Sequence, residues 1–224
     1  MTLINIQHLT QKRKEYTLLS DVNLNVEKNK ILGIIGDEGT GKTTLMEVLA
    51  GILYPTEGRV TLGGYDVVRD AKKAKSLIGY MPESMAFYGG MTIIEYLSFI
   101  AEAKGLSFAE AQKSIKSALS ATDLLSGRDI VICKLNQVGK ARLGLAQALV
   151  ANPQILLLDC PTRNLTEKEC ESILKLIKTL SHSRTVIITS QSSKIASICD
   201  ETVTLSPKQP DVDAKDVNTD GEMD

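Results

Sequence analysis

The sequence predicts an α/β fold with a parallel core sheet, an antiparallel β subdomain and an inserted α-helical lobe. Three stretches carry this expectation. GIIGDEGTGKTTLMEVLAG at 33–51 reads as strand, glycine-rich turn and helix, with apolar Ile31, Leu32, Ile34 and Ile35 before the turn. Leu45, Val48 and Leu49 follow it at helical spacing. Ile155–Leu158 is wholly apolar and of strand length, as in a parallel sheet covered on both faces. From Met91 to about Leu149 the pattern is helical, with Ile94, Leu97, Ile100 and Ala101, then Ile115 and Leu119, at i, i+3, i+4 spacing.

The remaining elements follow in order. Residues 3–9 and 22–26 alternate apolar and polar, as antiparallel strands with one wet face do. Gly58 to Val68 is a further strand region turning at Gly63-Gly64, and Leu77–Met81 is a short strand stopped by Pro82. Thr92 with Glu95 makes a capping box at the entrance to the helical lobe. After the 155–158 strand come a helix over about 166–180, a strand at 185–189, a helix at 193–199 and a strand at 201–205. No internal repeat is visible. Beyond Pro207 the chain carries six acids and little that is apolar, which predicts a disordered tail over 207–224.

Composition excludes several function classes. With 224 residues the chain can bury one α/β domain, and 43% hydrophobic content supplies its core. A formal net charge of −1 argues against nucleic-acid binding driven by bulk charge. Cys133, Cys160, Cys170 and Cys199 show no C-x-x-C pairing, which fits a reducing cytosol. No signal peptide stands at the N-terminus and no apolar run approaches the roughly 18 residues of a membrane span. Membrane association is therefore expected to be peripheral, through a partner.

Gly36, Gly41, Lys42 and Thr43 fit the spacing G-x-x-x-x-G-K-[ST]. Glycines let the backbone curl so that N–H groups converge on phosphate oxygens, and the following helix adds the positive end of its dipole. The expected phosphate site spans Gly36, Asp37, Glu38, Gly39, Thr40, Gly41, Lys42, Thr43 and Thr44. Lys42 would reach the β- and γ-phosphates, and the Thr43 hydroxyl would hold Mg²⁺. Asp159, closing the apolar strand, would hold the same Mg²⁺ directly or through water. An ordinary strand-ending Asp is the bland alternative, and pairing with the loop outweighs it.

With these motifs in place, the order of elements over residues 1–206 resembles the nucleotide-binding domain of the ATP-binding cassette family, within the P-loop NTPase fold. GDEGTGKTT matches the first phosphate motif, IGYMPE at 78–83 the segment leading into the Q-loop, and MTIIEYL at 91–97 the helical-lobe entrance. KARLGLAQALVANPQILLLDCPT at 140–162 matches the signature helix running into the second motif. Residues 76–100 most resemble cassettes that pair with separate export-type permeases. The resemblance implies ATP and Mg²⁺ as ligands and a head-to-tail homodimer or heterodimer with ATP between the chains. It further implies docking on an integral-membrane permease subunit, at the inner face of the cell membrane.

The sequence departs from the family pattern at several positions. Cys160 stands where the family places its general base, Gln191 stands at the switch His, and Glu83 at the Q-loop Gln. The signature, L-S-G-G-Q in the family, has become Leu135-Asn136-Gln137-Val138-Gly139, where a β-branched Val resists positive φ. Thr166 replaces the D-loop Asp in RNLT at 163–166, and Asp37 and Glu38 put acids inside the phosphate loop. For stacking on adenine, spacing offers Arg13 and Tyr16. The expectation is an ATP-binding subunit whose hydrolysis is weak because base, switch and signature are replaced. The alternatives are an active transport ATPase with Glu83 as substitute base, or a nucleotide-gated regulatory or scaffold protein.

Overall fold

The structure, a computed structural model, describes residues 2–14 and 16–206. The acidic stretch 207–224 lies outside the described residues. In chain order, β1 (Thr2–Arg13) and β2 (Tyr16–Glu27) form a hairpin, β3 (Ile31–Ile35) leads through the glycine-rich turn to α1 (Lys42–Leu49), and β4 (Glu57–Leu62) and β5 (Tyr65–Asp66) follow. Then come α2 (Ala71–Ser76), β6 (Ile78–Met81), α3 (Ile93–Ala103), α4 (Phe108–Ala121) and α5 (Gln137–Leu149). The chain continues through β7 (Ile155–Leu158), α6 (Glu167–Ser181), β8 (Thr185–Ser190), a 3₁₀ turn at Ser193–Ser197, and β9 (Glu201–Thr204).

Two sheets result. The antiparallel sheet has the order β2-β1-β4-β5, and the parallel one β6-β7-β8-β3-β9. Strands β7 and β8 are buried along their whole length, β7 as a wholly apolar run and β8 with apolar Val186–Ile188 between threonines. Alternation along β7 divides the core in two. Ile155 and Leu157 pack with β1, β4 and α1, whereas Leu156 and Leu158 pack with α3, α4, α5 and α6. The parallel sheet is thus covered by the antiparallel sheet and α1 on one face and by the helical region on the other. Gly79 permits the second covering. A Cβ there would stand 2.0 Å from the Ala148 carbonyl oxygen, so only glycine lets α5 cross β6 at this distance.

The fold class is as expected; three local readings differ. The hairpin arms reach 2–13 and 16–27, beyond the alternating apolar segments, because irregular register steps keep polar residues paired. Helix α2 carries no apolar periodicity, only Ala74 being buried, and so escapes a pattern search. The helix expected at 193–199 is a 3₁₀ turn.

Candidate functional site

Strand order explains how residues remote in sequence meet. β7, β8 and β3 lie side by side and parallel, so Asp159, Thr189 and the turn after Ile35 emerge at one edge, the carboxyl end where α/β sheets bind ligands. Gly36 N–H donates to the Ser190 carbonyl at 3.2 Å, fixing the start of the turn to β8. Gly39 and Gly41 take φ of 82° and 89°, which leads the backbone round to the first turn of α1. At Gly41 a Cβ would also meet the Leu18 carbonyl oxygen at 2.7 Å. β2 therefore presses on the turn from outside.

Lys42 is only 6% exposed. Its Nζ donates to the carbonyls of Gly36 (2.7 Å) and Asp37 (2.5 Å), with Thr40 Oγ1 at 3.4 Å. The ammonium thus sits inside the curl of the loop, where an anion would find it. Thr40 is buried with its hydroxyl donated to the Asp37 carbonyl at 2.9 Å, and Thr43 and Thr44 are half-buried on the first turn of α1. Asp37 and Glu38 expose their side chains, so the loop offers backbone rather than these acids to its interior.

Asp159 is fully buried. Its Oδ1 accepts from the Thr189 hydroxyl at 2.5 Å, while Oδ2 has no hydrogen-bond partner of full geometry. Burial pushes its pKa up, opposed by the hydroxyls of Thr189 and Thr43 and by Lys42, and Glu83 adds to the rise. An under-partnered buried carboxylate beside a hydroxyl and a phosphate loop is a hard-oxygen donor pair that fits Mg²⁺. Among the described residues no group of three or more His, Cys, Asp or Glu is placed to hold a metal, so further ligands would come from phosphate or water. The raised pKa has a signed consequence. Stability falls as pH rises from the unfolded value through the folded one, so the nucleotide-free protein carries the cost of a buried charge at neutral pH. Asp159→Asn, which retains the acceptor for Thr189, is expected to raise the melting temperature by about 2–4 °C at pH 7.5, and by less at pH 4.5. Differential scanning fluorimetry at the two pH values measures this.

Cys160 follows in a left-handed conformation (φ 47°), with its N–H donated to Thr189 Oγ1 at 2.9 Å and its Sγ 3.5 Å from the same oxygen. Burial pushes its thiol pKa up, and Asp159 and Glu83 push the same way. A thiol so placed stays protonated at neutral pH and cannot take a proton from water. Gln191 is exposed, on a cleft of about 480 Å³ it shares with Cys160, Glu83, Arg163 and Ser190. Glu83 does not stand free; it is ion-paired and hydrogen-bonded to Arg163.

Two positions read from sequence acquire a different physical meaning. Gln137 and Val138 lie in the first turn of α5, and Val138 is not among the positive-φ residues. The expected backbone strain at Val138 is therefore absent, because a helix needs no left-handed residue there. Asn136 caps the helix by accepting from Gly139 N–H at 2.8 Å. What the substitutions change is the helix mouth, which presents larger side chains than glycine and serine would. Arg13 on β1 and Tyr16 on β2 face each other across the end of the hairpin, both exposed, and β2 runs on to Leu18 and Leu19 beside Gly41. Arg163 was missed as a site residue. Only its turn context, Arg163 N–H to the Cys160 carbonyl at 3.0 Å, ties it locally to the strand end.

A parallel sheet whose central strands deliver a glycine-rich loop and a buried Asp to one edge defines a P-loop nucleoside-triphosphate-binding domain. Residues 19–163 match the ABC transporter family model, and the chain belongs to that family. It is 31% identical over 204 residues to the uncharacterized ABC transporter ATP-binding protein YxlF of Bacillus subtilis, covering 91% of this chain and 68% of that one. It is 28% identical over 209 residues to the phospholipid-transporting ATPase ABCA3 of Mus musculus, spanning 92% of this chain but 12% of that much longer protein. The dimeric structure of MJ0796, a bacterial ABC transporter cassette, superposes with a TM-score of 0.78 at 25% identity, covering 91% and 94% of the two chains. Among the described residues no helix is long and apolar enough to cross a membrane.

Proposed function

We propose that this chain is a nucleotide-binding subunit that holds Mg-ATP through Gly36–Thr44 and Asp159, hydrolyses it slowly, and acts as an ATP-gated clamp on an integral-membrane permease. The observation that carries slow hydrolysis is the buried thiol of Cys160 beside Asp159, at the position where a carboxylate base would serve. Absence of a general base costs roughly 10²–10⁴ in rate. Gln191 can donate a hydrogen bond to a phosphate but carries no charge. The bound Mg²⁺ would supply charge neutralisation at the phosphates; this chain's own residues bind, orient and enclose them.

Dimerisation with a second cassette, identical or not, follows from the family reading, as does placement at the inner face of the cell membrane through the permease. Binding in the adenine region falls to Tyr16 or Arg13. The domain proper is 1–206, with a helical lobe over about 91–149. A working ATPase with Glu83 as base is disfavoured because Glu83 is already committed to Arg163. Calorimetry of Mg-ATP with phosphate release on the same sample tests the proposal. Micromolar binding with release far below about 1 s⁻¹ is expected. Release at or above that rate overturns slow hydrolysis, and absence of binding leaves only a scaffold role.

A further inference from the structure

Three loops that end parallel strands meet through one side chain. Glu38 comes from the turn after β3, Glu83 from the end of β6, and Arg163 from the turn after β7. The Arg163 guanidinium is ion-paired to Glu83 through Nη1 and lies 3.7 Å from Glu38 Oε1 through Nη2. The arginine is held from behind by the Cys160–Arg163 turn, and Asn164 beyond it takes φ 61°, a conformation that asparagine tolerates. Glu83 is the more enclosed carboxylate, its side chain 26% exposed against 80% for Glu38. It shares clefts with Cys160 and Arg163 and raises the pKa of Asp159. Its charge is therefore felt at the residues the phosphate site is built from.

We infer that Arg163 is a positioning residue of this site: its guanidinium bridges Glu38 and Glu83 and offsets half of the negative charge with which the two carboxylates otherwise repel a nucleoside triphosphate. The inference rests on the nucleotide-binding reading above. A planar fork can serve two carboxylates from two loops at once, Nη1 toward one and Nη2 toward the other. Without it, a triphosphate approaching Lys42 meets two uncompensated like charges at the rim of the loop. With it, the net charge of the three side chains is −1 rather than −2, and Glu83 is held toward the β7 side.

Mg-ATP titrations of the wild type, Arg163→Ala, Glu83→Gln and the double variant form the test. Arg163→Ala is expected to weaken binding about tenfold at low salt, and by less at 0.5 M salt, because the penalty is repulsion between partly exposed charges. In the double variant most of that loss is recovered, since the net charge returns from −2 to the wild-type −1 with Glu38 alone remaining. Arg163→Lys keeps affinity within about threefold of wild type, retaining charge without the fork. Wild-type binding with an unchanged Arg163→Ala overturns the inference alone. An equal loss in single and double variants also overturns it, because Arg163 would then contact phosphate itself or act through the fold. No binding by the wild type overturns the nucleotide reading and this inference together.

Discussion

Lys42→Ala is expected to weaken Mg-ATP binding by about 100-fold or more, the result of removing a buried charge from a hydrogen-bonded anion site. The side chain is enclosed, and its ammonium is already aimed at the interior of the turn by the carbonyls of Gly36 and Asp37. Binding would exchange those carbonyls for phosphate oxygens without moving the stem far, so little ordering entropy opposes it. The same variant leaves the buried Gly36 carbonyl without its Lys42 donor, at a cost of about 1–3 kcal/mol to the nucleotide-free loop, whereas the Asp37 carbonyl keeps the Thr40 hydroxyl. Lys42→Met loses the same charge and donor but retains the apolar stem, so it separates their loss from the cavity that alanine leaves. Titration calorimetry with both variants, read beside circular dichroism, gives the comparison. Affinity within about threefold of wild type in Lys42→Met would mean that phosphate is held elsewhere.

The loop was legible because its chemistry is local: glycines, lysine and threonine lie within nine consecutive residues, flanked by a strand and a helix. The same holds for β7, whose apolar run and terminal Asp159 specify a buried parallel strand and its exit, and for the capping box of Thr92 and Glu95. What is not local stayed hidden. The Glu83–Arg163 pair joins residues 80 apart, and only the strand order brings their loops together. The unpaired Oδ2 of Asp159 depends on which neighbours bury it, not on its spacing from Lys42. At Val138 a rule about glycine misled, because the residue's helical setting removes the strain that the rule assumes. Asp37 and Glu38 looked adverse in a phosphate loop, yet both side chains are exposed and Glu38 lies beside Arg163.

Cys160→Glu is the gain-of-function counterpart, expected to raise phosphate release by about 10²-fold in single turnover. The backbone poses no new obstacle: both residues carry a Cβ, so the left-handed φ of 47° costs glutamate no more than it costs cysteine. The position opens onto the cleft shared with Gln191 and Ser190, which gives the longer carboxylate room to reach a water. Burial and the neighbouring acids that push the thiol pKa up would push a carboxyl the same way, toward the range where a general base works near neutral pH. The rate should accordingly rise with pH through that raised value and then level off. Phosphate release followed from about pH 5 to 9 in the variant and the parent measures both the gain and the profile. A gain below about threefold would move the limiting defect from the missing base to Gln191 or to the helix mouth at Asn136–Gly139, which in the proposed dimer would act from the opposing chain. The two sources part on mixing with a cassette whose signature is L-S-G-G-Q. Recovery in the mixed dimer assigns the block to the helix mouth, and its absence assigns it to Gln191.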